Sequence, residues 1–275
     1  MTSNSKNNNT ATDSPKDDKT FRFIVTGFGP FNGVPENPTS ILVKELPTYL
    51  QQREKDSEAS SKKKDDDDIS LLANCTETMI VETSAAAARQ EIGLLQKKLE
   101  PYSSAIVLHL GVWAGGSEFK LESCAYNDAT FRVPDEQGYR PVSEKIVDTC
   151  SVGSTLTTTF DVAALVDTMN STFAADQSSL RAHPSTDPGR FVCNYIYTTS
   201  MNAFGCVKTI DGSPVATTTT TTAGQPRVQS LFLHVPPFEA VSKEEQLVFV
   251  TQLMSKLYQQ KNAANPSGTA VTTSS

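Results

Sequence analysis

The stretch AIVLHLGVW, residues 105–113, constrains the fold of this chain most. It is apolar at nearly every position and lacks the alternation of a strand with one wet face. Such a strand must be covered on both faces, which places it inside a sheet that carries helices above and below. Neighbouring segments supply the partners. FRFIVTGF (21–28), ETMIVET (77–83) and SLFLHVPPF (230–238) read as strands, the last stopped by Pro236 and Pro237. Residues 85–100 read as a helix, with Ala85, Ala88, Ile92, Leu95 and Leu99 on one face and Lys97 and Lys98 in the last turn, where the dipole favours cations. A further helix starts near Thr39, and Pro47 is expected to end or kink it. Residues 160–169, and a segment from about Cys193, also read as helices. The final helix is announced by Ser242 and Glu245, a capping-box pair, and buries Leu247, Val250, Met254 and Leu257. Strand and helix alternate, so the class is α/β with helices on both sides of the sheet.

The chain has 275 residues, of which 37% are hydrophobic, and four stretches account for the low apolar share. Residues 1–20 are polar, without the apolar core of a signal peptide. Residues 51–68 are a block of charges, residues 209–227 are dominated by threonine, and residues 262–275 are small and polar. None can bury enough apolar surface to offset the entropy of ordering it. They read as two tails and two solvated loop insertions on one domain, residues 21–261, and the charge block is expected to be removable at little cost. The remaining core of roughly two hundred residues is the size of one domain.

A net charge of −7 argues against a nucleic-acid partner, which needs a basic stripe. No run approaches the roughly 18 apolar residues of a membrane span. Five cysteines, an odd number without a close C-x-x-C pair, read as reduced thiols of a cytoplasmic protein. Three scattered histidines provide no metal-ligand spacing.

The glycine-rich turn VTGFGPFNG, residues 25–33, is not a phosphate cradle. Asn32 stands where the dinucleotide fingerprint needs its third glycine, Pro30 removes a backbone N–H, and Phe28 and Phe31 are bulky. The turn suits a wall for something small and neutral, though on the residues alone two core phenylalanines are the preferred reading of Phe28 and Phe31. Among the histidines, His109 sits inside the most apolar strand and reads as a hydrogen-bonded core residue, and His183 lies in a polar loop. His234 ends an apolar strand before a double proline, at the carboxyl end of the sheet where α/β proteins build sites. Cys193 lies near a helix start, which favours a thiolate; a small buried hydrophobe is the competing reading. Glu118 and Glu122 are the candidate carboxylates, and spacing alone does not join any of them into a triad.

Four ordered stretches, VTGFGPFNGVPENPTS, LGVWAGGSEFKLESCAYN, GRFVCNYIYTTSM and LFLHVPP, together resemble the pyroglutamyl-peptidase I family of cysteine peptidases. FRVPDEQGYRP, residues 131–141, is similar to a further family stretch, and the likeness covers most of residues 21–260. The resemblance implies a single three-layer α/β/α domain around an open, mostly parallel sheet. It implies Cys193 as nucleophile, His234 as its acid and base, Glu122 as the group that orients the imidazole, and Phe28 and Phe31 as walls of a lactam pocket. The substrates implied are N-terminally pyroglutamylated peptides, with no metal or organic cofactor. A glutaminase-like thiol amidohydrolase, or a binding module on the same fold, would share much of this pattern. The charged and threonine-rich stretches look like insertions relative to the family.

Overall fold

The computed structural model describes residues 20–31, 36–59, 66–148, 150–205, 207–210, 213–216 and 226–264. The expected tails at 1–20 and 262–275 lie outside these except for Thr20 and 262–264, as does most of 209–227. In chain order the elements begin with β1 (Phe21–Phe28), α1 (Pro38–Ala59), α2 (Asp66–Cys75), β2 (Thr76–Val81), α3 (Ala85–Leu99) and β3 (Ser104–Val112). They continue with β4 (Phe119–Glu122), β5 (Cys124–Tyr126), β6 (Thr155–Thr157), α4 (Val162–Ala175), β7 (Ala182–Ser185) and α5 (Val192–Phe204). The last are β8 (Val207–Ile210), β9 (Ser213–Ala216), β10 (Val228–Val235) and α6 (Lys243–Ala263).

Six strands form the main sheet in the order β2-β1-β3-β10-β4-β7. The apolar run of the sequence is β3, an interior strand buried from Ala105 to Gly111. All pairings are parallel except β10 with β4. One apolar cluster joins the sheet to α1, α2, α4 and α6, and a second joins its other face to α3 and α5. This is the three-layer α/β/α arrangement. The buried residues of α3 are the five of the sequence pattern, and its N-terminus is capped by the Ser84 side chain, which accepts from Ala87 N. The capping box of Ser242 and Glu245 opens α6.

Away from the site, the structure departs from the sequence reading in three places. Pro47 does not end α1. Leu42, Leu46 and Leu50, fully buried at helical spacing on either side of it, carry the helix past the missing hydrogen bond. The charge block is not a loop throughout. Residues 51–59 extend α1, with mostly exposed side chains over 51–58, and 66–68 begin α2, where Asp68 accepts hydrogen bonds from Ser255 and Gln259 of α6. Residues 60–65 lie outside the described residues. Third, a small antiparallel sheet, β5-β6-β8-β9, has no counterpart in the sequence reading. Its last two strands hold the described part of the start of the threonine-rich stretch.

Candidate active site

His234 and Glu122 meet because β4 runs antiparallel to β10. The ladder pairs Phe232 with Glu122 and His234 with Lys120, so Glu122 lies diagonally across from His234 on the same face. Their side chains close the gap: His234 Nδ1 donates to Glu122 Oε1 at 2.7 Å, with the carboxylate wholly buried and the imidazole 9% exposed. With Nδ1 taken, Nε2 is the nitrogen left to meet the Cys193 side chain, which interacts with the ring. Burial alone would depress the imidazolium. Interactions with Cys193 and Glu122, reinforced by their charges, outweigh it and raise His234 from 6.5 to about 9. The folded protein therefore gains stability from this group in full below pH 6.5 and loses it as pH rises through about 9.

Cys193 enters from the second residue of α5. Before the helix, Gly189 has a φ of 77°, a left-handed conformation that costs glycine nothing, and Arg190 pairs with Asp187 and stacks 3.8 Å from the Tyr126 ring centre. Asn194 locks the first turn to β5, accepting from Tyr126 N and donating to the carbonyls of Tyr126 and Asp128. One turn further, Tyr197 donates to the backbone carbonyl of Glu122 at 2.9 Å. The helix carrying the thiol is thus tied directly to the residue that holds the imidazole. No side chain caps the start of α5 at Phe191, so its first backbone N–H groups face the site without a side-chain acceptor.

Gly111 of β3, in register with His234, makes room for this cluster. A Cβ there would lie 2.6 Å from Phe232 Cζ and 3.0 Å from Cys193 Sγ. Gly111→Ala is expected to displace the thiol and lower kcat/KM by about tenfold to a hundredfold, since small misplacements of reacting groups are that costly. Steady-state kinetics beside a melting scan measure it.

Burial disfavours the thiolate at two of the other described cysteines. Burial, partly opposed by Arg22, pushes Cys75 up to about 11, and burial also raises Cys124. His109 is the core residue expected: fully buried, 2.8 Å from Thr26 Oγ1 through Nδ1, and held neutral by burial, which lowers it to about 3. His183 is not in a loop. It lies in the edge strand β7, half-buried and 3.2 Å from Glu118. Glu118 therefore stands apart from the Glu122–His234 pair.

A cavity of about 220 Å³ opens beside Cys193. Phe28 and Phe31, the two sequence candidates, both line it, as do Phe191, Val112, Pro38, Asn37 and Thr83. Phe28 is also a core residue, 4% exposed. Phe31 packs on Phe191 at 4.9 Å between ring centres, and Phe191 on Phe131 at 4.7 Å. Asn37 holds the turn, donating to Gly29 O and accepting from Thr39. Sequence reasoning passed over Phe191 although it stands two residues before Cys193, and over Gly111, a lone glycine inside a strand.

A thiol, an imidazole and a buried carboxylate gathered at the carboxyl end of β10 in a three-layer α/β/α sheet are the residue set that a cysteine-type hydrolase uses. A family model described as pyroglutamyl peptidase matches residues 55–210, more than half of the chain. The chain belongs to the pyroglutamyl peptidase family. The matched stretch contains Glu122 and Cys193, and His234 lies beyond it. Among curated relatives, the pyrrolidone-carboxylate peptidase of Fusobacterium nucleatum is 25% identical over 176 residues, 64% of this chain and 67% of that protein. The pyrrolidone-carboxylate peptidase of Thermococcus litoralis is 25% identical over 224 residues, 81% of this chain and 80% of that protein. A mutant pyrrolidone carboxyl peptidase from Pyrococcus furiosus has the same fold, with a TM-score of 0.60 at 20% identity over 87% of this chain and 99% of that one. The Thermus thermophilus pyrrolidone carboxyl peptidase gives 0.56 at 20% identity over 86% and 99%. Among the described residues no helix is long and apolar enough to cross a membrane.

Proposed function

We propose that this chain hydrolyses the peptide bond that follows an N-terminal pyroglutamyl residue. The observation that carries the reading is the hydrogen-bonded Glu122–His234 pair acting on Cys193, a thiol that lines a small cavity walled by aromatic rings. The Cys193 thiolate attacks the scissile carbonyl, with the His234 imidazolium as its counter-ion. The carbonyl oxygen takes up negative charge and is met by backbone N–H at the start of α5, Cys193's own among them. His234 then gives its proton to the departing amine and, neutral, takes one from the water that cleaves the thioester. Glu122 fixes the ring orientation and keeps Nδ1 protonated throughout.

The cavity suits a lactam. Pyroglutamate lacks the ammonium of an ordinary N-terminus, so its ring enters an apolar site without an unpaired charge. The cavity lies below the roughly 300–1,000 Å³ of drug-sized sites, in keeping with one small ring. Phe31→Ala and Phe191→Ala are each expected to lower kcat/KM on a pyroglutamyl amide by about tenfold, because ring contacts place the carbonyl over the thiol. Iodoacetamide labelling of Cys193 should persist in both. Wild-type kcat/KM in both variants contradicts the pocket assignment.

Side-by-side turnover of pyroglutamyl and glutaminyl amides tests the function. Turnover of the pyroglutamyl amide alone, abolished by a thiol alkylator, is expected. Preference for the glutaminyl amide indicates a glutaminase-like enzyme instead, and no turnover of either indicates a binding module.

A further inference from the structure

The register of the main sheet sets the site out as a row. Gly111 on β3 pairs with His234 on β10, His234 with Lys120 on β4, and Lys120 with His183 on β7. Residues paired in register share a face of the sheet. Phe28, two residues past the Thr26–His109 pair, extends the row on the β1 side. The aromatic cavity therefore lies at the β1 end, Cys193 sits over Gly111, and the row continues past His234 to Lys120 and His183. A peptide whose pyroglutamyl ring occupies the cavity has its scissile carbonyl at Cys193, so the first residue of its leaving portion falls over Lys120.

Lys120 is a half-buried cation without a carboxylate partner among the described residues. Its ammonium lies 3.2 Å from the ring centre of Trp113, the residue that follows β3. Trp113 is itself fixed: its backbone N donates to Val235 O, and its indole folds back over the backbone of Gly115 and Gly116 and meets His183 edge-on at 6.3 Å. The nearby acid, Glu118, lies 3.2 Å from His183 Nδ1 and is in no described ion pair with Lys120. The indole thus holds the ammonium in one place beside the catalytic row, its electrostatic demand only partly met.

We propose that Lys120, positioned by Trp113, binds a carboxylate on the first residue after the scissile bond and makes this enzyme favour leaving groups that carry one. The inference rests on the pyroglutamyl reading of the site. Two sources supply such a carboxylate: the free C-terminus of a pyroglutamyl dipeptide, and an acidic side chain in a longer peptide.

Matched substrate pairs separate these cases. One pair is pyroglutamyl-alanine and its C-terminal amide; the other is pyroglutamyl-glutamate amide and pyroglutamyl-glutamine amide. Wild-type kcat/KM should favour the charged member of at least one pair by about fivefold, the size of a partly exposed ion pair. Preference within the first pair alone assigns the terminal carboxylate, and preference within the second assigns the side chain. Lys120→Met should bring the ratio close to one and Lys120→Glu should invert it. Because each ratio is taken within one protein, a general loss of activity cancels. Added salt should also shrink the wild-type ratio, which tests the charge without any substitution. Equal rates within both pairs, or a preference that survives both Lys120→Met and high salt, overturns the inference while leaving the peptidase reading intact. No turnover of any of the four peptides by the wild-type protein overturns both.

Discussion

Cys193→Ser is expected to lose more than about a thousandfold in kcat on a pyroglutamyl amide while melting close to the wild type. The serine hydroxyl is not ionised by a neighbouring imidazolium, so the Glu122–His234 pair would act on a weak nucleophile. The fold loses little. Cys193 is only partly buried, and the start of α5 is held by Asn194, Tyr197 and the Arg190 turn rather than by the thiol. Serine at Cys75, Cys124 or Cys150 should cost far less activity. Peptide mapping after partial inactivation with iodoacetamide should find the label on Cys193 first. A label found first on another cysteine would move the nucleophile elsewhere.

Glu122→Gln carries the next largest effect. The amide keeps the shape of the carboxylate but not its charge, and the carboxylate acts together with Cys193 to keep the imidazole protonated against burial. The rate should fall on the order of a thousandfold, as when an orienting carboxylate loses its charge. The pH profile should also change in a direction that a purely structural defect would not produce. In the wild type the rate should fall as pH rises through about 9, where His234 gives up its proton. In the variant that alkaline limb should move to lower pH. The stability linked to His234 should be lost over a correspondingly lower pH range, since the ring is less readily protonated in the folded state. An unchanged alkaline limb would show that Glu122 does not govern His234.

Much of this was legible in the sequence. The five apolar residues of α3 and the capping box of α6 are periodic or stereochemical signals that tertiary packing did not override. The run that became β3 is buried on both faces because nothing in it can face water. Local signals failed where packing decided the outcome. Pro47 weakens a helix by removing one hydrogen bond, and the buried leucines around it outweigh that loss. The charged residues that follow Leu50 propagate a helix already nucleated upstream, so their polarity predicted exposure but not conformation. Strands of three or four residues, such as β5 and β6, are too short for a period to show.

The site was legible in its residue types and not in its geometry. Cys193, His234 and Glu122 stand out by position and by the family resemblance. The antiparallel pairing of β4 with β10, which brings Glu122 diagonally to His234, is a long-range register that no local pattern encodes. The same register sets Lys120 beside His234. Gly111 had a local signal, a glycine inside a strand, whose meaning depends on which atoms approach it. Phe191 had only its closeness to Cys193.

Acid-quenched turnover followed by mass spectrometry addresses the central claim most directly. A pyroglutamyl amide mixed with enzyme and quenched in acid should leave a fraction of the chains heavier by one pyroglutamyl acyl group. Fragmentation should place that group on Cys193 as a thioester, and hydroxylamine should remove it. Turnover without an acyl adduct in Cys193→Ser, or an adduct mapped to any other residue in the wild type, would contradict the account.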